Sequence, residues 1–122
     1  MRIIAPNFII LFVADPLTSA AFYTKILGLA PAEQSPTFVM FVFPNGIRLG
    51  LWSKKTAYPV VTASAGGCEV AFTEKDVDAL HTLWKSLGVT ILQEPIDNEA
   101  GRNFVALDPD GNRLRVFWQA GE

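Results

Sequence analysis

The chain has 122 residues, half of them apolar, which is enough for one ordinary domain with a real core. Twelve acidic and ten basic residues give a net charge of −2 with no basic block, which argues against a dedicated nucleic-acid binder, whose affinity comes from clustered cations on phosphates. Its single cysteine, Cys68, excludes an intrachain disulfide and fits a reducing compartment.

Phe8-Ile9-Ile10-Leu11-Phe12-Val13 is apolar at every position and rich in β-branched and aromatic residues, which predicts a strand covered on both faces. The run is short, follows Pro6-Asn7 and ends at Asp15-Pro16 without a small-residue cleavage pattern, so it reads as a strand and not as a signal peptide. No stretch approaches the roughly 20 apolar residues a membrane helix needs. The expectation is a soluble, cytoplasmic protein with no membrane or nucleic-acid partner.

Asp15 as N-cap and Pro16 at the first helical position open a helix. Leu17, Ala20, Phe22-Tyr23 and Ile26-Leu27 form its buried stripe, and Gly28 stops it. Residues 37–43 and 47–52 predict two strands of a hairpin around Pro44-Asn45-Gly46. The first half is therefore strand, helix, then two or three strands. Residues 53–67, with Lys54-Lys55, Tyr58-Pro59 and the small residues up to Gly66-Gly67, read as a connector.

The pattern then restarts. Glu69-Val70-Ala71-Phe72-Thr73 predicts a strand, and Asp76 opens a helix whose apolar positions Val77, Leu80, Trp84 and Leu87 keep the helical period until Gly88. Residues 89–92 predict another strand, and residues 102–107 and 112–118 a closing hairpin. Its turn is Asp108-Pro109-Asp110-Gly111-Asn112, in which Pro109 presets φ and Gly111 tolerates positive φ. After it Leu114 and Val116 face one side, and Arg113, Arg115 and Phe117 the other. Phe43-Pro44-Asn45-Gly46-Ile47-Arg48-Leu49-Gly50-Leu51-Trp52 is an earlier, weaker copy of this turn and strand.

Aligning Asp15 with Asp76, Gly28 with Gly88 and the two turns gives an internal duplication. The expected fold is α+β: a single domain over 1–122 of two tandem βαβββ modules, about 5–53 and 67–119, joined by a connector at about 54–66. One helix covers only one face of each sheet, so the curved sheets are expected to enclose a cavity, the default place for a ligand.

The duplicated modules, the Asp15…Phe22-Tyr23…Leu27-Gly28-Leu29 start and the Asp108-Pro109-Asp110-Gly111-Asn112 ending resemble the vicinal oxygen chelate superfamily. That group holds glyoxalase I, extradiol dioxygenases, fosfomycin resistance enzymes and bleomycin-type drug-binding proteins. For its metalloenzymes the resemblance implies four ligand positions, which fall here on Phe8, Gly50, Glu69 and Arg115, and only Glu69 has a donor for a metal. The only histidine, His81, lies in the second helix, where a structural or solvent-edge role is expected. No metal and no cofactor are therefore expected.

With the metal gone, Glu69 and Arg115 are expected to form an ion pair, as part of a ligand site or merely as a staple. If Phe8 faces the concave side, alternation brings Ile10 and Phe12; Gly50 brings Arg48 and Trp52; Arg115 brings Arg113 and Phe117. Trp52, beside the Tyr58-Pro59 connector, suits stacking on a planar molecule, and Gly50 leaves room for it. Phe8 and Phe12 also read as ordinary core. Arg102-Asn103, after the loop over 97–101, are candidate polar contacts at the cavity mouth, or part of a solvated turn.

Gly101-Arg102, the Asp108 turn and the Asn7 start look most like the phenazine antibiotic resistance type. That resemblance implies a homodimer that sequesters a planar aromatic ligand by stacking, without a metal. The arginines suit a neutral or anionic ligand. Two alternatives stand beside it: a metal-free lyase or isomerase with Glu69 as base and Arg115 as oxyanion partner, and a dimeric interaction module.

Overall fold

The computed structural model describes residues 2–120. The chain divides into two compact units, Met1–Thr62 and Ala63–Glu122. The first holds β1 (Phe8–Val13), α1 (Pro16–Leu27), β2 (Glu33–Gln34), β3 (Phe38–Val42) and β4 (Arg48–Ser53). The second holds β5 (Glu69–Thr73), α2 (Val77–Ser86), β6 (Thr90–Asn98), β7 (Gly101–Leu107) and β8 (Arg113–Trp118). The sheets run in the matching orders β1-β4-β3-β2 and β5-β8-β7-β6. Each first strand lies parallel to the last strand of its unit and the other pairs are antiparallel, so the duplication is present in topology as well as in sequence.

In the first unit α1 begins where the Asp15 carboxylate accepts the backbone N–H groups of Leu17 and Thr18, at 3.1 and 3.5 Å, and the Thr18 hydroxyl at 2.9 Å. The hydrogen bonds from Thr18 hold the Asp15 carboxyl below its ordinary pKa. The helix ends at Gly28, whose φ of 67° is the left-handed conformation that suits glycine. Alternation then sorts the sheet. Leu11, Val13, Val39, Phe41, Leu49 and Leu51 are buried on the side facing α1, where Tyr23 meets Phe41 edge-on with ring centroids 6.4 Å apart. Phe8, Ile10, Phe12, Phe38, Met40, Arg48, Gly50 and Trp52 share the other face, because the register aligns Ile10 with Gly50 and Phe12 and Phe38 with Trp52.

One expectation for this unit changes. β1 is not covered on both faces: it is an edge strand of its sheet, and Ile9 and Ile10 are 36% and 43% exposed. The third strand that the βαβββ pattern requires is β2, two polar residues with no periodicity to locate it, held by pairing with Val39 and Met40.

In the second unit the Asp76 side chain accepts the Ala79 N–H at 3.0 Å and starts α2. Trp84 anchors the helix, meeting Phe72 and Phe104 edge-on at 6.1 and 5.5 Å. Val77 and Trp84 are buried, while Leu80 and Leu87 are half-buried at the border of the stripe. β6 is longer than the four residues expected and runs to Asn98, with register shifts near Gln93. Pro95 is tolerated within it because β6 lies at the edge of its sheet. Most of the expected 97–101 loop is thus strand, leaving Glu99-Ala100 as the turn.

Gly101 closes that turn with φ 82°, and a Cβ there would lie 2.2 Å from the Trp118 carbonyl oxygen. Gly101→Ala is expected to cost about 2–3 kcal/mol in urea unfolding, from the left-handed backbone and the clash with main chain that cannot move aside. The Asp108 turn is held by its own first residue. The Asp108 carboxylate accepts the Asp110 N–H at 2.9 Å and the Asn112 N–H at 2.8 Å, and β8 starts directly after it.

Candidate functional site

Two groups of side chains stand out, one in each unit. On the second sheet, Arg115 and Glu69 form a two-point pair, Nε to Oε1 at 2.7 Å and Nη2 to Oε2 at 2.8 Å. The parallel pairing of β5 with β8 sets this contact by placing Glu69 beside Arg113 and one step diagonally from Arg115. Arg113 joins as a third member, its Nη2 2.7 Å from the same carboxylate. One carboxylate between two guanidiniums leaves a net positive charge on this face.

Behind the pair, Arg115 Nη1 donates to the Asn103 side-chain oxygen at 2.5 Å. Asn103 is fully buried, and its amide donates to the Asn98 side chain and the Gly101 carbonyl at 2.8 and 2.9 Å. Gln93 donates to the same Asn103 oxygen at 3.0 Å. Three strands therefore fix the angle of Arg115, which in turn fixes Glu69.

The Arg115 hydrogen bonds, with the charges of both arginines, hold the Glu69 carboxyl below its ordinary value of 4.5. A depressed carboxyl contributes stability that is present above its unfolded pKa and lost as the pH falls through the folded one. Glu69→Gln is therefore expected to flatten the decline of stability below about pH 4.5, read from urea midpoints across the acid range. The same pairing makes Glu69 a poor general base, because its lone pairs are taken up by guanidinium N–H groups.

The first sheet carries an aromatic surface on the face turned away from α1. Trp52 lies between Phe12, 6.1 Å away and inclined at 33°, and Phe38, 6.2 Å away and nearly perpendicular. Arg48 lies over the Phe8 ring, its guanidinium carbon 4.5 Å from the centroid, and donates to the Asn7 side chain at 3.3 Å. Gly50 sits among these rings. A Cβ on it would lie 2.9 Å from both Phe8 and Phe38, so the room expected above Gly50 is filled by the unit's own aromatics.

The remaining candidates divide. Phe117 lies on the Arg115 face beside Thr73 and Asn103 and is half-buried. Arg102 does not join Asn103 in the site. Neighbouring strand residues point to opposite faces, and Arg102 turns to the α2 side, where it meets Asp78 at 3.0 Å and Asp97 at 3.6 Å. Tyr58 is 84% exposed in the connector, with no ring contact to Trp52. His81 packs edge-on to Phe104 at 5.3 Å, with Nε2 2.5 Å from Glu94. Phe38 is the residue that sequence reading missed; alternation leaves its strand's parity open, and only its pairing with Trp52 assigns it to this face.

The positions of a superfamily metal site do not fit a metal here. Phe8 lies under a guanidinium, Gly50 is covered by rings, Arg115 is a cation, and Glu69 is already shared by two arginines. Among the described residues no three His, Cys, Asp or Glu side chains group closely enough to hold an ion.

Comparison with known families agrees with this architecture. The sequence model of the Glyoxalase/Bleomycin resistance protein/Dioxygenase superfamily matches residues 5–116. The chain belongs to this superfamily. Within it, the chain is 30% identical over 118 residues to the phenazine antibiotic resistance protein EhpR of Enterobacter agglomerans, covering 93% of this chain and 91% of that protein. It is 45% identical to protein ATC0852 of Agrobacterium tumefaciens, whose solution structure matches with a TM-score of 0.87 over 98% of this chain and all of the other. A glyoxalase-related enzyme from Fulvimarina pelagi shares the fold at 23% identity, with a TM-score of 0.80 over 94% of this chain and 88% of that one. The superfamily's two-module architecture is thus present, built here from two open four-stranded sheets, while the four usual metal positions carry an aromatic, a glycine, an arginine and one glutamate already paired with arginines. No helix is long and apolar enough to cross a membrane among the described residues.

Proposed function

We propose that the protein binds and sequesters a planar aromatic compound on the aromatic face of its first unit, without a metal and without turnover. The observation that carries this reading is the Phe12-Trp52-Phe38 group: three rings in contact on the sheet face that α1 leaves uncovered, all only half-buried. Similarity to a phenazine antibiotic resistance protein supports the ligand class. The engagement of Glu69 by two arginines weighs against general-base catalysis.

Titration with phenazine tests it. Binding should quench tryptophan fluorescence saturably, and the ligand should be recovered unchanged after long incubation. Absence of quenching across a panel of planar aromatics overturns the reading, and conversion of the ligand moves the protein to the enzymes. A homodimer belongs to the same reading and is checked by sedimentation equilibrium with and without phenazine.

A further inference from the structure

We infer that the ligand carries an anionic group, and that Arg48 is the residue that selects for it. This deepens the reading of the aromatic face and rests on it. Four arginines lie in strands among the described residues, and three of them have carboxylate partners: Arg102 on Asp78 and Asp97, Arg113 and Arg115 on Glu69. Arg48 has none among the described residues. Its polar contact is the neutral side chain of Asn7, at 3.3 Å.

The geometry around Arg48 leaves its charge available. The guanidinium carbon lies 4.5 Å from the Phe8 centroid, a contact that restrains the side chain without using its N–H groups on a carboxylate. Among the described residues, the buried side-chain nitrogens without a partner include Trp84 Nε1 and Arg113 Nε, whereas His81 Nε2 meets Glu94. No Arg48 nitrogen is among them, so the unused N–H groups of Arg48 meet solvent.

Position makes this charge relevant to the aromatic face. Arg48, Gly50 and Trp52 alternate along β4, so Arg48 shares the face of Trp52 roughly 13 Å away along the strand. That separation suits a fused aromatic lying against Trp52 with a carboxylate reaching towards Arg48. Glu33 lies on the same face beside Met40, two strands over, at about 12 Å by strand spacing, where solvent screening weakens its effect on Arg48. A carboxylate held by a planar guanidinium gains a charge-assisted, two-point hydrogen bond that an amide of the same shape lacks.

The test uses a matched pair of probes, phenazine-2-carboxylate and phenazine-2-carboxamide, titrated by tryptophan quenching. The wild-type protein should bind the carboxylate about tenfold more tightly, roughly 1.4 kcal/mol, and the preference should shrink as salt is raised. Arg48→Met should bring the ratio close to one. Arg48→Lys, which keeps the charge but loses the fork, should give an intermediate ratio, and thermal melts verify that both variants fold. Equal affinities in the wild type, or an unchanged ratio in Arg48→Met, overturn the assignment of Arg48 while sequestration on the aromatic face stands. Quenching by neither probe removes the aromatic-face reading and this inference with it.

Discussion

Replacing Trp84 by alanine is expected to destabilise the protein by about 3–5 kcal/mol, the range for truncating a fully buried large aromatic. Trp84 is 1% exposed and fills the space between α2 and its sheet, in edge-on contact with Phe72 and Phe104. No smaller side chain at that position reaches both rings, so a cavity adds to the lost transfer energy. Chemical denaturation gives the stability change directly, and a thermal melt should move down by 10 °C or more, on the order expected for that loss in a domain of this size.

Trp84→Phe provides the informative control. The indole Nε1 is buried without a hydrogen-bond partner, so the wild-type residue carries an unsatisfied donor that phenylalanine removes. The smaller ring should therefore cost much less than truncation, about 1–2 kcal/mol, because the lost contact area is offset by relief of the stranded N–H. A large loss in the alanine variant with a small one in the phenylalanine variant assigns the stability to ring packing. A loss below about 1 kcal/mol in Trp84→Ala would contradict the packing described for α2.

The second large effect concerns binding. Trp52→Ala is expected to weaken binding of phenazine about 10- to 100-fold, in line with the 1–3 kcal/mol that an aromatic platform contributes to a stacked heterocycle. Stability should change far less, because Trp52 is half-buried and its neighbours Phe12 and Phe38 remain. The chain has three tryptophans, and Trp84 is buried among its own rings. Most of the fluorescence quenching should therefore vanish with Trp52, while competition by a displaced ligand measures the residual affinity. Unchanged affinity in Trp52→Ala, with the fold intact, would remove Trp52 from the site.

Together these two substitutions separate the roles of the aromatic residues. Trp84 projects from α2 onto the sheet it covers and holds the second unit together, whereas Trp52 stands on the sheet face that α1 leaves open. Composition does not distinguish them, since both are tryptophans in amphipathic elements. Burial and the sheet face decide it. The pair at Glu69 and Arg115 illustrates the same point for charge: both residues were nameable from the position of missing metal ligands, but the fully buried Asn103 beneath them acquires its role only from the β7–β8 register.

What the sequence determined by itself is whatever rests on short-range chemistry. Asp15 and Asp76 start the helices because a carboxylate caps nearby N–H groups, Gly28 ends the first because φ there is positive, and Asp108 to Asn112 makes its turn with its own side chains. Alternation in Arg113–Trp118 and the internal duplication also follow from local pattern, and they were sufficient to point to the superfamily. Only the tertiary structure decided where β2 falls, the length of β6, the turn of Arg102 to the α2 side, the arrival of Phe38, the contact of Arg113 with Glu69, and the filling of the space over Gly50. Each of these depends on which residue of a distant strand lies alongside. A register shift of one residue reverses the face of every side chain, and no local signal in those segments specifies that choice.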